Sequence, residues 1–351
     1  MELSDRNEIY ANVEKRRGLT QSALCKGLAD SNANPLDLMR IRCARNSHLP
    51  ALEKAVSGIL TTDTGWTALR PLQTAWADLV RRITVLGRVA PFVRQIDALV
   101  PVSTVDTGVT AAFVTENTGT PIARPSFTVD TLQPGKLAIA GVYSKELARV
   151  SGDKAAILIE RDQSRAIALA EDGALLDSGA AVAGGRPASI FHGLSAIDTG
   201  SPSAILDDVL ALPAALRGGF PVSPYYVTNP AGARYLIAAV DLTSGVRLFP
   251  NVTLFGGDIF GVPLLVSAGC PDILGIFDAD AIFVVDEQVE VDAIFQAALQ
   301  FSGTPSSSAA ASISLFQSGM LAVKTTRYIG WRLAWPDGAA FITLPIVGSP
   351  A

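Results

Sequence analysis

The feature that most constrains this chain is a pair of strand-type segments between Leu99 and Val142, separated by the turn-rich stretch ENTGTPIARP. From Phe127 to Leu132 the residues alternate between two unlike faces, which is the period of a strand. Two such arms around a Gly/Pro-rich tip predict a long β-hairpin. Because a hairpin alone is only marginally stable in water, we expect it to lie against something else.

A long amphipathic helix is predicted next, from about Asp153 to Asp177. At 1.5 Å per residue it would be roughly 35 Å long. The residues expected on its apolar stripe are Ala155, Ile159, Ala166, Leu169, Ala170, Gly173 and Leu176. The residues expected on its other faces are Glu160, Arg161, Arg165 and Asp172.

Mixed helices and strands follow over about 187–300, which indicates an α+β or α/β subdomain. Ser201 and Pro202 are typical of a helix start, and Pro213 is expected to kink or break that helix. A second helix is expected over Pro230–Val240. The strand-like segments are PYYVTN, VPLLVSA, AIFVVD and VEVDAIF, and the last 35 or so residues also read as strands.

The composition first suggests a membrane protein, because 49% of the 351 residues are apolar, 17% are charged and the mean hydropathy is +0.33. Soluble domains carry about 25% charged residues. A spanning helix needs roughly 20 consecutive apolar residues, however, and the longest uncharged stretch, Ala293–Val323, is interrupted by glutamine, glycine, proline and serine. The N-terminus also lacks the apolar core of a secretory signal. We therefore expect an intracellular protein with no membrane partner.

Charge is unevenly distributed, although the net charge is only −5. The segment from Arg40 to Arg94 is basic, whereas the segment from Asp198 to Asp292 is acidic. Such polarity is typical of two surfaces with different neighbours. Solvated faces that keep the chain soluble are the alternative interpretation.

No sequence motif predicts catalysis, a metal site or a cofactor. His192 lies near Ser189 and Ser195 without a G-x-S-x-G elbow, and the GGDIFG cluster lacks the spacing of a nucleotide loop. Asp278 and Asp280 fit a turn before a strand better than a cation site. Three cysteines without CxxC spacing are expected to be small buried side chains, and the four tryptophans are expected to be packing anchors.

Four stretches resemble the HK97-fold major capsid proteins of tailed bacteriophages. Phe113–Leu147 looks like that family's extended loop, and the helix from Asp153 looks like its spine helix. Leu254–Pro271 resembles a passage of the axial domain, and Phe316–Thr343 resembles the closing strands of the peripheral domain. The four stretches occur in the family's order and cover about residues 95–345.

The resemblance implies an α+β, HK97-like capsid fold. Its expected parts are an N-terminal helical arm over 1–94, an extended β-hairpin loop over 95–143, a peripheral domain over 144–190 and 301–351 with a spine helix over 153–177, and an axial domain over 191–300. The implied function is the major capsid protein of a tailed bacteriophage or prophage, which assembles as pentamers and hexamers into an icosahedral head around double-stranded DNA.

Two sets of site residues follow from the resemblance, with no catalytic residue, metal ligand or cofactor. The expected inter-subunit contacts are Glu116, Arg124, Lys136, Arg161, Arg165, Arg327 and Trp331. The expected DNA-facing arm residues are Arg40, Arg42, Arg45, Arg81 and Arg82. The implied partners are other copies of the chain, a scaffolding protein, a portal protein, packaged DNA through non-specific contacts and, in some relatives, a decoration protein. The implied locations are the virion and, during assembly, the host cytoplasm.

The chain departs from many members of that family in the short segment before the hairpin. We therefore expect no proteolytically removed N-terminal domain and a separate scaffolding protein. Lys136 and Lys324 are present, but no matching asparagine and glutamate align with confidence, so covalent cross-linking is not predicted. An encapsulin-like compartment shell is the alternative function. An intracellular α/β enzyme that uses Asp278, Asp280 or His192 is a remote one.

Overall fold

The computed structural model describes a defined part of the chain. The described residues are 21, 76–107, 113–114, 122, 124, 126–144, 146, 153–183, 185–197, 205–216, 221–241, 245–294, 298–300, 312–315, 317–335 and 337–346. The chain divides into two compact units. Unit 1 comprises Met1–Ile83, Leu137–Ala168 and Gln288–Tyr328, and unit 2 comprises Thr84–Lys136, Leu169–Glu287 and Ile329–Ala351.

Five helices with more than one described residue and thirteen strands are present in the described part of the chain, and Gln21 and Glu146 are also helical. The helices are α1, described over residues 76–81, α2 (Val85–Arg88), α3 (Asp153–Leu176), α4 (Ile205–Ala215) and α5 (Pro230–Ala238). The strands are β1 (Arg94–Gln95), β2 (Pro101–Thr107), β3 (Ser126–Thr131), β4 (Gly135–Ser144), β5 (Pro224–Thr228), β6 (Gly257–Ile259), β7 (Val262–Val266), β8 (Ile273–Asp278), β9 (Ile282–Ile294), β10 (Ala298–Gln300), β11 (Ser312–Ser314), β12 (Met320–Leu333) and β13 (Ala339–Thr343). None of the described helices combines the length and apolarity that crossing a bilayer requires.

The predicted α+β class and most of the predicted elements are confirmed. Helix α3 occupies the predicted range. Helix α4 contains Pro213, which has no N–H to donate to the carbonyl four residues earlier, and it ends two residues after this proline. The segments AIFVVD and VEVDAIF, predicted as separate strands, form the single strand β9. Of the predicted tryptophan anchors, Trp76 and Trp331 are buried. Cys270 is also buried as expected, and burial raises the pKa of its thiol.

Unit 1 has helices packed on one face of a sheet. Its strands are parts of β9, β12 and β4, which belong to a four-stranded sheet in the order β1, β9, β12, β4. Strand β1 and its partners Phe283 and Val284 lie in unit 2. Within unit 1, Ile159 of α3 packs against Leu321 and Val323 of β12. Ile167 of α3 packs with Trp76 of α1. The same cluster contains Leu137 and Ile139 of β4 and Val289 and Val291 of β9. These clusters form the core of the unit.

The buried face of α3 differs from the predicted stripe. Leu169 and Ala170, predicted to be inward, are exposed, whereas Glu160 and Asp172, predicted on other faces, are buried. Gln163 is also buried, and it donates to the Val323 carbonyl oxygen at 2.7 Å and accepts from the Thr325 hydroxyl at 2.6 Å. Buried polar groups are tolerated when they are hydrogen-bonded. The prediction of the buried face of α3 was therefore partly wrong, because it used only the spacing of apolar residues.

Unit 2 contains a five-stranded sheet in the order β13, β8, β5, β7, β6. Only β5 and β7 are parallel; the other neighbouring pairs are antiparallel. Every residue of β8 is buried, which is typical of a central strand with both faces covered. The expected division grouped residues 301–351 into one peripheral segment, but β13 pairs with β8 along its whole length and so belongs to this mixed sheet.

The predicted hairpin is present but shorter than its sequence pattern. Strands β2 and β3 pair antiparallel from Pro101↔Thr131 to Thr107↔Ser126, with a register shift between Val105 and Thr107. The second predicted arm divides after Leu132, since β4 joins the four-stranded sheet instead of the hairpin. Pro134 at this point has no N–H to continue a ladder.

Candidate functional site

The ribbon formed by β2 and β3 is a two-stranded sheet of its own. Each outer edge of such a ribbon presents backbone N–H and C=O groups that lack a strand neighbour, and exposed edges of this kind pair readily with another chain. Val129 is 63% exposed, and residues Ser103, Ser126 and Thr128 are also exposed. Beyond the ribbon, the described residues Phe113 and Ile122 are almost fully exposed. This ribbon is the best candidate for contact with another subunit.

The base of the ribbon is held by a small apolar cluster. Leu132, Phe283 and Val285 are buried there, and Val102 of β2 packs against them. The chain enters the ribbon at Leu99, which has a φ of 62° and whose N–H donates to the Leu132 carbonyl oxygen at 3.2 Å. A left-handed backbone conformation is costly for a leucine, so Leu99 lies in a strained turn. The hydrogen bond to Leu132 stabilises this turn, which sets the direction in which the chain enters the ribbon.

Arg94 forms a clamp beside this base. Its guanidinium group makes two hydrogen bonds to the Asp280 carboxylate, at 3.2 and 2.9 Å, and lies 4.9 Å from the centre of the Trp335 ring. A paired charge stacked on an aromatic ring is held in one orientation. In the sequence Arg94 stands at the end of the basic segment from Arg40, and no motif there predicts this role.

Asp278, next to the clamp, is fully buried. Its carboxylate accepts hydrogen bonds from the backbone N–H groups of Val222, Ser223 and Asp280 at 3.0, 2.9 and 3.2 Å. It therefore joins the loop before β5 to the turn between β8 and β9. The expectation that Asp278 and Asp280 lie in a turn before a strand is confirmed by the 3-10 turn Ala279–Ala281.

The site residues predicted from the sequence differ in their exposure to solvent. Arg82, Arg124, Lys136, Arg161 and Arg165 are exposed, and Arg81 is half-buried and paired with Asp78 at 3.0 Å. Glu116, Arg40, Arg42 and Arg45 lie outside the described residues.

Arg327 and Trp331 belong to the interior of the chain itself. Arg327 is 1% exposed and Trp331 is 3% exposed. The Trp331 indole N–H donates to the Ala188 carbonyl oxygen at 2.8 Å. Almost none of either side chain is available at the surface of the subunit, although both were predicted at inter-subunit contacts. An aromatic-rich strand after a basic residue does not by itself distinguish interface from core.

The profile of the phage capsid family matches residues 64–344, which is well over half of this sequence. The chain belongs to the phage capsid family. The range covers the ribbon, helix α3 and both sheets. The resemblance read from the four sequence stretches is thereby confirmed.

Relatives of this capsid-family chain agree with that assignment. A capsid polyprotein of Pseudomonas phage PAJU2 is 28% identical over 316 residues, which cover 82% of this chain and 47% of that protein. The chain thus spans about half the length of this curated relative.

Solved structures show the same fold at low sequence identity. One from Gordonia phage Cozz has a TM-score of 0.55 at 15% identity and covers 74% of this chain and 86% of its own. One from Microbacterium phage Oxtober96 has a TM-score of 0.53 at 18% identity, with 73% and 90% covered. The capsid of an empty GTA particle, computed with C5 symmetry, has a TM-score of 0.50 at 14% identity, with 73% and 89% covered. The expected HK97-like fold is confirmed.

The residues considered for an enzyme have structural roles in this capsid-family chain. His192 is exposed, and its Nδ1 lies 3.1 Å from the Ser178 carbonyl oxygen. The Ser189 hydroxyl contacts the carbonyl oxygens of Leu175 and Asp177 and accepts from the Phe191 N–H at 3.1 Å. Within the described ranges, no three His, Cys, Asp or Glu side chains cluster as metal ligands.

The glycines of the GGDIFG cluster are turn glycines, as expected. Gly256, Gly257 and Gly261 have φ values of 129°, 136° and 84°. Phe260 precedes the last of them with a φ of 52°, and its ring packs edge-on against Phe249 at 5.8 Å between centroids. Two consecutive residues with positive φ form the tight turn between β6 and β7.

An ion pair borders a cleft of about 740 Å³ in unit 2, lined by residues that include Leu132, Leu194 and Trp331. Arg186 donates two hydrogen bonds to Asp177 just after α3, at 2.7 and 2.6 Å. Burial by itself would raise the pKa of Asp177, but the bonds from Arg186 and from the Gly179 N–H outweigh it and lower the pKa below its ordinary value of 3.8. The pair joins the end of the helix to the loop that follows it.

Replacing Arg186 with Gln is expected to remove a pH-dependent part of the stability. A carboxyl group whose folded pKa is lowered stabilises the fold above its unfolded pKa, and that contribution is lost as the pH falls through the folded pKa. Because both groups are partly exposed, we expect a loss at pH 7 below about 1 kcal/mol that diminishes as the pH falls below the ordinary carboxyl pKa of 3.8. Urea unfolding of unassembled wild-type and R186Q subunits at several pH values measures it. A difference that grows on acidification would contradict the assignment.

Proposed function

We propose that this chain is the major capsid protein of a tailed bacteriophage or prophage, and that it assembles as pentamers and hexamers into an icosahedral head around double-stranded DNA. The observation that carries the proposal is the family match over residues 64–344. The related GTA capsid computed with C5 symmetry supports a five-fold ring as one assembly unit.

The ribbon supplies the physical reason for self-assembly. Its two outer edges and exposed apolar residues are not covered by another strand of the described part of the chain. Another copy of the chain covers these edges and apolar residues without any additional protein, because every subunit has the same surface. The exposed groups Arg124 and Lys136, together with Glu116, set the register of the contact, whereas buried apolar area supplies most of the affinity.

The other partners follow from this role. A scaffolding protein directs the curvature during assembly in the host cytoplasm, a portal protein occupies one vertex, and packaged DNA contacts the inner surface without sequence specificity. A decoration protein on the outer surface is compatible with it. The finished location of the chain is the virion.

Expression of the chain alone and with the scaffolding protein of its own genome tests the proposal. We expect size-exclusion chromatography to show pentamers, hexamers or larger species, and negative-stain microscopy to show closed shells. A subunit that stays monomeric in both preparations would contradict the proposal. Shells that enclose a specific protein cargo instead of DNA after infection would indicate an encapsulin-like compartment.

A further inference from the structure

A band of exposed aromatic and apolar side chains lies on unit 2. Phe92 is 50% exposed, and the centre of its ring lies 5.9 Å from that of Tyr225. Val222, three residues before Tyr225, is 65% exposed. Arg94, two residues after Phe92, is stacked on the half-buried ring of Trp335. These five residues form the aromatic band.

Hydrogen bonds join the parts of the aromatic band. The carboxylate of Asp278 accepts from the Val222 N–H at 3.0 Å and from the Asp280 N–H at 3.2 Å. The carboxylate of Asp280 in turn accepts two hydrogen bonds from Arg94. Val222, Arg94 and Trp335 are therefore neighbours, although they are far apart in the sequence. For this reason no sequence motif indicates the band.

The aromatic band has the properties of a protein-binding surface. Single exposed apolar residues are normal, but contiguous exposed apolar patches mark interaction sites. Aromatic residues and arginine are enriched at the centres of protein interfaces. Asp280 balances the charge of Arg94 at 2.9 Å, so the band favours an apolar partner surface over a polyanion. Because the hydrogen bonds to Asp278 and Asp280 already fix these residues, binding orders few further groups.

The aromatic band continues into the base of the ribbon. Trp335 packs against the cluster of Leu132 and Phe283, which holds that base. Leu99 and Val100, where the chain enters β2, are 63% and 43% exposed. A neighbour that lies along the ribbon down to its base therefore reaches the aromatic band. This continuity favours a second copy of the chain as the occupant of both surfaces.

We propose that a second copy of this chain covers the aromatic band in the assembled shell, as one continuous contact with the ribbon. This inference rests on the proposed function. Phe92 and Val222 are the side chains that the neighbour buries, whereas the bonds of Arg94 and Asp278 keep the surface in one shape. Burial of their apolar area supplies affinity, and the repetition of the contact at every subunit multiplies it.

The concentration at which subunits assemble tests the contact. Phe92→Ser and Val222→Ser remove exposed apolar side chains, and Leu210→Ser is the matched control, since Leu210 is 53% exposed on α4 outside the band. We expect F92S and V222S each to raise the assembly threshold by about tenfold, and L210S to leave it close to that of wild type. Urea unfolding of unassembled subunits is expected to show wild-type stability for V222S and L210S. No rise for V222S, or an equal rise for V222S and L210S, would overturn the proposal.

Cysteine labelling tests whether a second copy is the occupant. Val222→Cys is treated with a small maleimide that crosses the shell, both in unassembled subunits and in shells, and wild type gives the background from the native cysteines. We expect V222C to react in unassembled subunits and to be protected in shells. Equal reaction rates in the two forms would overturn the inference while the proposed function stands. Wild-type subunits that form no shells would overturn the proposed function, and the inference with it.

Discussion

Deleting residues 116–124, which lie between β2 and β3 in the sequence, is expected to leave the subunit folded and to abolish closed shells. The paired strands β2 and β3 and the apolar cluster at their base lie outside the deletion, so the subunit loses little of its own core. Each shell repeats the ribbon contact at every subunit, and a modest loss per contact is therefore multiplied across the particle. Circular dichroism and thermal unfolding of the subunit check the fold, and negative-stain microscopy counts the shells.

A second variant separates the length of the tip from its side chains. Replacing residues 116–124 with nine Gly and Ser residues keeps the loop length, and we expect it to assemble at reduced yield because Glu116 and Arg124 are lost. Normal shells of unchanged thermal stability from the deletion variant would show that the ribbon is not an inter-subunit element. An unfolded deletion variant would show that the tip is needed within the subunit.

Asp278→Ala is expected to destabilise unit 2 strongly. The substitution removes the acceptor of three backbone N–H groups in a fully buried position, and unsatisfied buried donors are costly. We expect the free energy of unfolding to fall by roughly 3 kcal/mol. Each hydrogen bond to a charged group is worth about 1.5–3 kcal/mol, but the contributions of the three bonds are not additive. Urea unfolding of the unassembled subunit measures it, since assembly would add stability by mass action.

Asp280→Ala is the matched control, two residues away. Asp280 forms a partly exposed ion pair with Arg94, whose side chain is 41% exposed, so its loss is expected to cost less than about 1 kcal/mol. Asp278→Asn keeps one oxygen acceptor and is expected to lie between the two. Equal stabilities of D278A and D280A would show that the buried carboxylate does not hold the loop before β5.

The elements whose formation depends on local pattern were predicted well. The ribbon strands, helix α3, helix α5 and the closing strand β12 all lie close to their predicted ranges. Turn chemistry was also readable, because glycines at positive φ and the Asn229 cap with Pro230 act within a few residues. Local signals of this kind need no knowledge of what the element packs against.

The errors have a common cause. Contacts with residues distant in sequence determine which face of a helix or strand is buried and which strands pair. Asp172 was predicted on an outer face of α3, yet it is buried and accepts from the Val85 N–H at 2.8 Å and from the Ser267 hydroxyl. The polar Gln163 is also buried, where it contacts Val323 and Thr325. Arg327 and Trp331 read as interface residues, yet their strand is central in its sheet.

The sequence by itself determined the family, the α+β class and a ribbon that is not stable alone, because periodicity, turn residues and the order of the four stretches are properties of neighbouring residues. Only the tertiary structure decided that β4 leaves the hairpin for another sheet, that β13 pairs with β8, and that Arg94, Val222 and Trp335 share a surface. Strand pairing and the sharing of a face join residues far apart in the chain, and those contacts are selected by the burial of the whole core.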